Sequence, residues 1–390
     1  RERPNNHSLI ALHRLYLWLV RNGILVRDTN LPDLINPIDC ASLLFEHCSF
    51  LPSSIFVFQI FICIFVGMTI ENIVNIRTEE EFASVALELF RYQAERCAPY
   101  REYIALLGID PTEVKRVEDI PFLPIEIFKS HDVYCGEGEP EIIFTSSNTG
   151  GTVASRHIME SLATYRLAFM HAFEEFYGAT EKWSIYGLLP NYLEREGSSL
   201  VYMVDELIRK AGSGGFYLND YERLIADIEV DTKPKILLGV SYALWDLAEQ
   251  YAPKLKDTVV METGGMKGRR KELAKSELHK ILCDGFGVEK IHSEYGMAEL
   301  TSQAYSAGDG IFCTPRWMRL LVRDVNDPFD HSPAGARGGI DIIDLANLSS
   351  CAFIQTQDIG RKYADGSFSI EGRIAGSDIR GCNLLVHNLL

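Results

Sequence analysis

Ile142-Ile143-Phe144-Thr145-Ser146-Ser147-Asn148-Thr149-Gly150-Gly151 runs three apolar, strand-forming residues straight into a loop of four hydroxyl side chains, an asparagine and two glycines. Glycine and asparagine tolerate the positive φ angles that turn successive backbone N–H groups inward, and hydroxyls add donors without bulk. A loop of this kind suits a phosphate chain. The same residues also make a plain turn, so the meaning of the stretch depends on what surrounds it.

Upstream, Thr78-Glu79-Glu80-Glu81 has the form of a capping box. Phe82, Val85, Ala86, Leu89 and Phe90 recur behind it at helical spacing, which predicts a helix to about Cys97. Pro121 and Pro124 hold residues 121–129 extended on the approach to the loop. Downstream, amphipathic helical patterns at residues 162–176, 200–208, 221–228, 242–251 and 270–282 alternate with short apolar runs at 183–189, 235–240, 258–261 and 290–293. This alternation predicts an α/β fold with mostly parallel sheets flanked by helices. Ligands of such sheets sit at the carboxyl ends of the strands.

At 390 residues, 47% hydrophobic and 24% charged, the chain is globular in composition. Its formal charge of -16 opposes nonspecific nucleic-acid binding, so any phosphate site must be built locally from backbone dipoles, a metal ion and a few Lys or Arg. Nine scattered cysteines without a Cys-x-x-Cys pair fit reduced, cytoplasmic thiols better than a disulfide frame or a zinc site. Residues 1–67 differ from the remainder: five Arg balance five acidic residues, leaving the whole -16 (33 basic against 49 acidic) to residues 68–390. Within them, 55–66 reads IFVFQIFICIFV, shorter than the ~18–20 residues of a spanning helix. We read 1–67 as a leader or extension outside the folded unit. Membrane contact through residues 50–70 and an accessory element are the alternatives.

Three later turns also follow strands. Thr263-Gly264-Gly265-Met266-Lys267 offers two glycines where a flat ring or acyl chain approaches backbone closely. Ser293-Glu294-Tyr295-Gly296-Met297-Ala298-Glu299-Leu300 sets an aromatic, a glycine and a carboxylate where they suit a base and Mg²⁺, although a solvated acid is the simpler reading of Glu299 alone. In Gln355-Thr356-Gln357-Asp358-Ile359-Gly360-Arg361 a strand is expected to end at Asp358, either as a ribose acceptor or as a turn former.

In this order, with Glu371-Gly372-Arg373 and Ser377-Asp378-Ile379-Arg380-Gly381-Cys382 behind them, the turns resemble those of the adenylate-forming superfamily of acyl and aryl ligases. More closely, residues 70–390 look like the acyl-protein synthetases of the bacterial bioluminescence fatty acid reductase. The resemblance implies an ATP-dependent ligase with ATP and Mg²⁺ as cofactors. A carboxylic acid, fatty in the bioluminescence type, would be activated as acyl-adenylate and passed to a protein cysteine, with a reductase or acyltransferase as protein partner. It implies that Thr145, Ser146, Ser147, Asn148, Thr149, Gly150 and Gly151 hold the β- and γ-phosphates and that Glu299 holds Mg²⁺. Gly264, Gly265, Tyr295 and Gly296 would border the adenine, Asp358 would bind the ribose hydroxyls, Arg373 would lie near ribose or phosphate, and Cys382 would accept the acyl group. His131, His157 and His292 are read as structural or solvated.

Two positions depart from the family pattern. Asn148 stands where the phosphate loop usually has Gly, which Asn replaces best in a left-handed conformation. Ala298 stands where the family has a Thr whose hydroxyl helps hold the α-phosphate; losing such a bond costs roughly 1.5–3 kcal/mol. The chain stops just past the segment where most family members begin a mobile lid. The expectation is therefore a minimal type lacking a full lid, or a truncated C-terminus. A coenzyme A ligase and a non-catalytic nucleotide-binding subunit are the alternative functions.

Overall fold

The computed structural model describes residues 68–146, 153–189, 197–266, 269–271, 273–325, 327 and 329–374. The expected leader 1–67, most of the hydroxyl-rich loop (Ser147, Asn148, Thr149, Gly150 and Gly151), Lys267 and Cys382 lie outside the described residues.

From Met68 the elements are α1 (Ile70–Val74), α2 (Glu79–Arg96), α3 (Ala98–Leu106), β1 (Leu123–Pro124), α4 (Ile127–Ser130), β2 (Ile142–Thr145) and β3 (Arg156–Met159). The alternating region follows: α5 (Leu162–Tyr177), β4 (Ser184–Leu188), α6 (Ser199–Ala211), β5 (Gly214–Tyr217), α7 (Tyr221–Val230), β6 (Lys235–Val240), α8 (Ser241–Tyr251), β7 (Thr258–Thr263), α9 (Lys275–Phe286) and β8 (His292–Tyr295). Then come β9 (Ala304–Ser306), β10 (Ile311–Cys313), β11 (Met318–Arg323), β12 (Arg337–Asp344), β13 (Phe353–Lys362) and β14 (Phe368–Arg373).

The expected capping box is present. Thr78 Oγ1 accepts from the Glu81 N–H at 3.2 Å and Glu81 Oε2 accepts from the Thr78 N–H at 3.1 Å. The helix it starts buries Phe82, Ala86, Leu89 and Phe90. The α/β architecture is also as expected: β5, β4, β6, β7 and β8 run parallel in that order across the sheet, and strands consecutive in the chain are joined through a helix. β4 and β6 are buried along their whole length, as parallel strands covered on both faces must be. At β9 the direction reverses, and an antiparallel block extends the sheet in the order β9, β10, β14, β13, β12, β11. β1 pairs parallel with β13. The core beneath this block gathers Phe90, Tyr100 and Phe122 around Phe353, at ring separations of 6.0, 6.3 and 6.3 Å.

Three expectations are corrected. The approach segment stays extended only to Pro124, where pairing with β13 ends, and then coils into α4. The helix expected from residue 270 begins at Lys275, because Arg270 stacks on Trp245 (4.4 Å) and bonds Asp246, which holds the preceding segment against α8. Asp358 does not end its strand. β13 continues to Lys362, with an irregularity after Ile359, because β14 pairs with it past that point. Among the described residues no helix is long and apolar enough to cross a membrane. Cys97, Cys135, Cys283, Cys313 and Cys351 are free thiols.

Candidate functional site

The hydroxyl-rich loop closes a hairpin. β2 and β3 are antiparallel, with Thr145 opposite Arg156. At the loop's base the Ser146 N–H donates to Ser155 O (3.1 Å) and the Ser155 N–H donates back to Ser146 Oγ (3.0 Å), while the Thr145 N–H donates to Gly197 O (2.8 Å). Such reciprocal bonds fix where a loop leaves its strands, whatever the loop itself holds.

Residues 293–299 form the spine to which the other turns attach. Ser293 Oγ donates to Glu262 Oε1 at 2.6 Å. Glu294 accepts from the Thr263 hydroxyl. Tyr295 donates its hydroxyl to Asp358 Oδ2 at 2.7 Å. Ala298 O lies 2.8 Å from His157 Nδ1. Glu299 Oε1 accepts from the Ser155 hydroxyl at 2.5 Å. Alternation along β8 sends Glu294 and Tyr295 to opposite faces, so one strand reaches two neighbours. Gly296 leaves room for this arrangement: a Cβ there would stand 2.4 Å from Glu294 Oε1.

Two expected subsites are thereby linked through one segment. Glu299 is fully buried and sits against the base of the hydroxyl-rich hairpin. Tyr295 meets Asp358, which pairs with Arg373 Nε at 3.3 Å across β13 and β14. Arg373 also donates to Gln357 Oε1 at 2.8 Å. The ring of Tyr295 is only 2% exposed and lies edge-on to Phe312 and Phe368, so it does not present the open face expected for stacking a base. Its hydroxyl instead orients the carboxylate of Asp358. Gly264, at φ +66°, turns the chain just after β7, and its carbonyl accepts from Ser241 Oγ at 3.2 Å.

Local sequence gave no sign of the groups that hold this spine. Glu262, nearly fully buried, receives Lys275 Nζ at 2.6 Å, Ser293 at 2.6 Å and Ser241 at 2.9 Å. Burial pushes its carboxyl up, but the charges of Lys275 and His279 outweigh burial and hold it well below the usual carboxylate range. For Glu294 burial dominates and pushes the carboxyl up to about 7 despite the Thr263 hydroxyl and the charge of Lys275, with the neighbouring Glu262 adding to the rise. Asp344 accepts the Thr301 and Ser302 N–H groups (2.8 Å each) and the Ser302 hydroxyl (2.6 Å), which anchors the chain just beyond Glu299. Asn347 donates to Glu299 O at 3.0 Å.

No protein-family model matches the chain, and no curated protein matches it by sequence. Solved structures do match in three dimensions. 2-Hydroxyisobutyryl-CoA ligase in complex with 2-HIB-AMP and CoA aligns with a TM-score of 0.58 at 15% identity, over 77% of this chain and 71% of that one. The fold is that of an adenylate-forming ligase. The same ligase in its postadenylation state with 2-HIB-AMP aligns with a TM-score of 0.59 at 16% identity, over 78% of this chain and 70% of that one. ATP-bound MatB from Rhodopseudomonas palustris reaches a TM-score of 0.47 at 16% identity; 61% of this chain aligns, and it spans about half (49%) of that protein's length. At these identities the likeness is one of fold.

Proposed function

We propose that this chain activates a carboxylic acid with ATP as an acyl-adenylate and passes the acyl group to the thiol of Cys382, with a fatty acid as the substrate class. The observation that carries the reading is the convergence on residues 293–299. Glu299 meets the hairpin base there, and Tyr295 meets Asp358, which in turn pairs with Arg373; these are residue types that triphosphate and ribose require. The adenylate-forming fold, seen with acyl-AMP in 2-hydroxyisobutyryl-CoA ligase, supports it.

In the reaction, a carboxylate oxygen bonds to the α-phosphorus of ATP as the bond to pyrophosphate breaks. The Cys382 thiolate then attacks the acyl carbon and AMP departs. The first step needs charge stabilisation rather than proton transfer, which is what hydroxyls, N–H groups and a fixed carboxylate supply. Thr145, Ser146, Ser147, Asn148, Thr149, Gly150 and Gly151 would line the β- and γ-phosphates, Gly264, Gly265 and Gly296 would border the adenine, and Asp358, oriented by Tyr295, would accept from the ribose hydroxyls. An ionised carboxylate oxygen retains lone pairs beyond one bond, so Asp358 can accept further donors. Arg373, across the strand pair from Asp358, would face ribose or phosphate.

Among the described residues no group of three or more His, Cys, Asp or Glu side chains stands ready to hold a metal ion. A single buried carboxylate such as Glu299 fits Mg²⁺, which characteristically takes one or two carboxylates and completes its shell with phosphate oxygens and water. When bound, the ion would offset charge on the departing pyrophosphate.

Incubation with ATP and a panel of labelled carboxylic acids tests the transfer. The expected result is hydroxylamine-sensitive label on the wild-type protein that disappears in Cys382→Ser; label retained in that variant removes Cys382 from the reaction. Free acyl-CoA formed on adding coenzyme A would favour the second reading, a CoA ligase, which the fold likeness to a CoA-bound ligase also supports. Tyr295→Phe is expected to weaken ATP binding about 10-fold by calorimetry, the loss of ~1.4 kcal/mol from one hydrogen bond to a charged acceptor. Deoxyribose analogues should show a smaller change, and an equal change would detach Tyr295 from ribose recognition.

A further inference from the structure

His157, fully buried on β3, lies between two oxygens. Nδ1 is 2.8 Å from Ala298 O and Nε2 is 2.9 Å from Asn347 Oδ1. The orientation of the Asn347 amide follows from its other end, which faces two backbone carbonyls, Glu299 O at 3.0 Å and Cys351 O at 2.9 Å. Carbonyl oxygens only accept, so that end is the NH₂ group and the oxygen is what His157 meets. Ala298 O is likewise an acceptor only. Both ring nitrogens therefore face acceptors, and a neutral imidazole would set a lone pair against an oxygen at less than 3 Å.

We infer that His157 is a positioning residue for the Glu299 turn, donating from both ring nitrogens at once. One bond holds the carbonyl of Ala298, and the other locks the amide of Asn347, which in turn holds the carbonyl of Glu299. The peptide units on either side of the Glu299 side chain are thus fixed from β3, the strand that also carries the base of the hydroxyl-rich loop. The hairpin grips the turn at two points, through Ser155 on the carboxylate and through His157 on the backbone.

The groups around the ring decide what this clamp requires. Phe128 of α4 lies edge-on at 6.2 Å and supplies no charge. Glu299 and Asp344 raise the ring's affinity for a proton, as do its two hydrogen bonds, while burial works against them and is the largest influence, lowering the pKa below the ordinary histidine value. The inference stands on the geometry against that direction: a neutral ring satisfies only one of two buried oxygens, and an unsatisfied buried acceptor facing a lone pair is itself costly.

The inference rests on the proposed role of Glu299 for its functional meaning, and its test separates the two. Side-chain ¹⁵N spectra of the substrate-free protein should show protons on both nitrogens of His157, assigned by their loss in His157→Gln. A single protonated nitrogen overturns the inference whether or not the chain proves to be a ligase. In Mg²⁺ titrations of ATP binding, His157→Gln and Asn347→Asp should each raise the Mg²⁺ needed for half-saturation about 10-fold, leaving the affinity for metal-free ATP unchanged. Asn347→Asp keeps the acceptor for His157 and removes the donor to Glu299, so it isolates the second arm of the clamp. An unchanged Mg²⁺ requirement in both variants would reduce His157 to a packing residue. Wild-type protein that binds no ATP would refute the proposed function and leave the ¹⁵N result to decide the inference.

Discussion

Glu299→Gln is expected to lower ATP–pyrophosphate exchange about 10²–10³-fold, the range found when one preorganised electrostatic contact to the reacting charge is removed. The same variant should be as stable as the wild type, or more so. Glu299 is fully buried, and the bond given to its carboxylate by Ser155 is one that a glutamine oxygen also accepts. Replacing a buried carboxylate by a neutral group of the same shape removes a desolvation penalty of several kcal/mol. Loss of activity with retained or increased stability is the signature of a charge kept for chemistry. If Glu299→Gln melted well below the wild type instead, the carboxylate would be a structural anchor, and the Mg²⁺ role would be wrong.

The second large effect concerns Glu294. Burial pushes this carboxyl up to about 7 from an ordinary 4.5. The folded state therefore holds a proton between these values that the unfolded chain has released, so stability falls as pH rises through that window. Above pH 7 the full difference, about 3 kcal/mol at 1.36 kcal/mol per unit, weighs against the fold. Glu294→Gln keeps an acceptor for the Thr263 hydroxyl and removes the titration. Denaturant unfolding of both proteins should give equal stability near pH 4, with the variant ahead by up to about 3 kcal/mol at pH 8. Parallel curves across this range would show that Glu294 ionises freely. Glu262, on the neighbouring strand opposite Ser293, works in the opposite sense: its carboxyl is held low, so the stability it lends is lost only as the solution becomes strongly acidic.

Much of the fold was legible from local pattern. The run Lys235 to Val240 reads as a strand because five of its six residues suit a buried, two-faced environment, and it is one with those same ends. Thr78 and Glu81 announce their helix because the capping box is built from residues three apart. Of the antiparallel block only the strand running into Asp358 was legible, since the others are short or carry inward polar groups. Arg323 and Asp341, for example, form a buried pair at 2.6 Å that reads from sequence as surface charge. The pairing of β1 with β13 joins Leu123 to Ile354, and no local signal reports such a contact.

The candidate site divides in the same way. Its turns were visible, because glycines, hydroxyls and single carboxylates after apolar runs are local chemistry. What connects them was not. Asp358 was expected at the end of a strand and lies within one, because β14 continues the pairing that a turn reading of Asp-Ile-Gly would have stopped. His157 had no motif to mark it, and its partners Ala298 and Asn347 are 141 and 190 residues away. Ala298, expected to weaken the site for want of a hydroxyl, takes part through its backbone carbonyl, and Ser155 brings a hydroxyl to the adjacent Glu299 from another strand.

Carboxylate-dependent exchange of labelled pyrophosphate into ATP tests the central claim most directly, because it reports formation of the acyl-adenylate whatever thiol receives the acyl group. The predicted result is exchange that requires Mg²⁺ and an added acid, is strongest with fatty acids, and is lost in Glu299→Gln. Measurable ATP binding with no exchange for any acid across short, long and aromatic chains would contradict the claim and leave a nucleotide-binding protein without ligase activity.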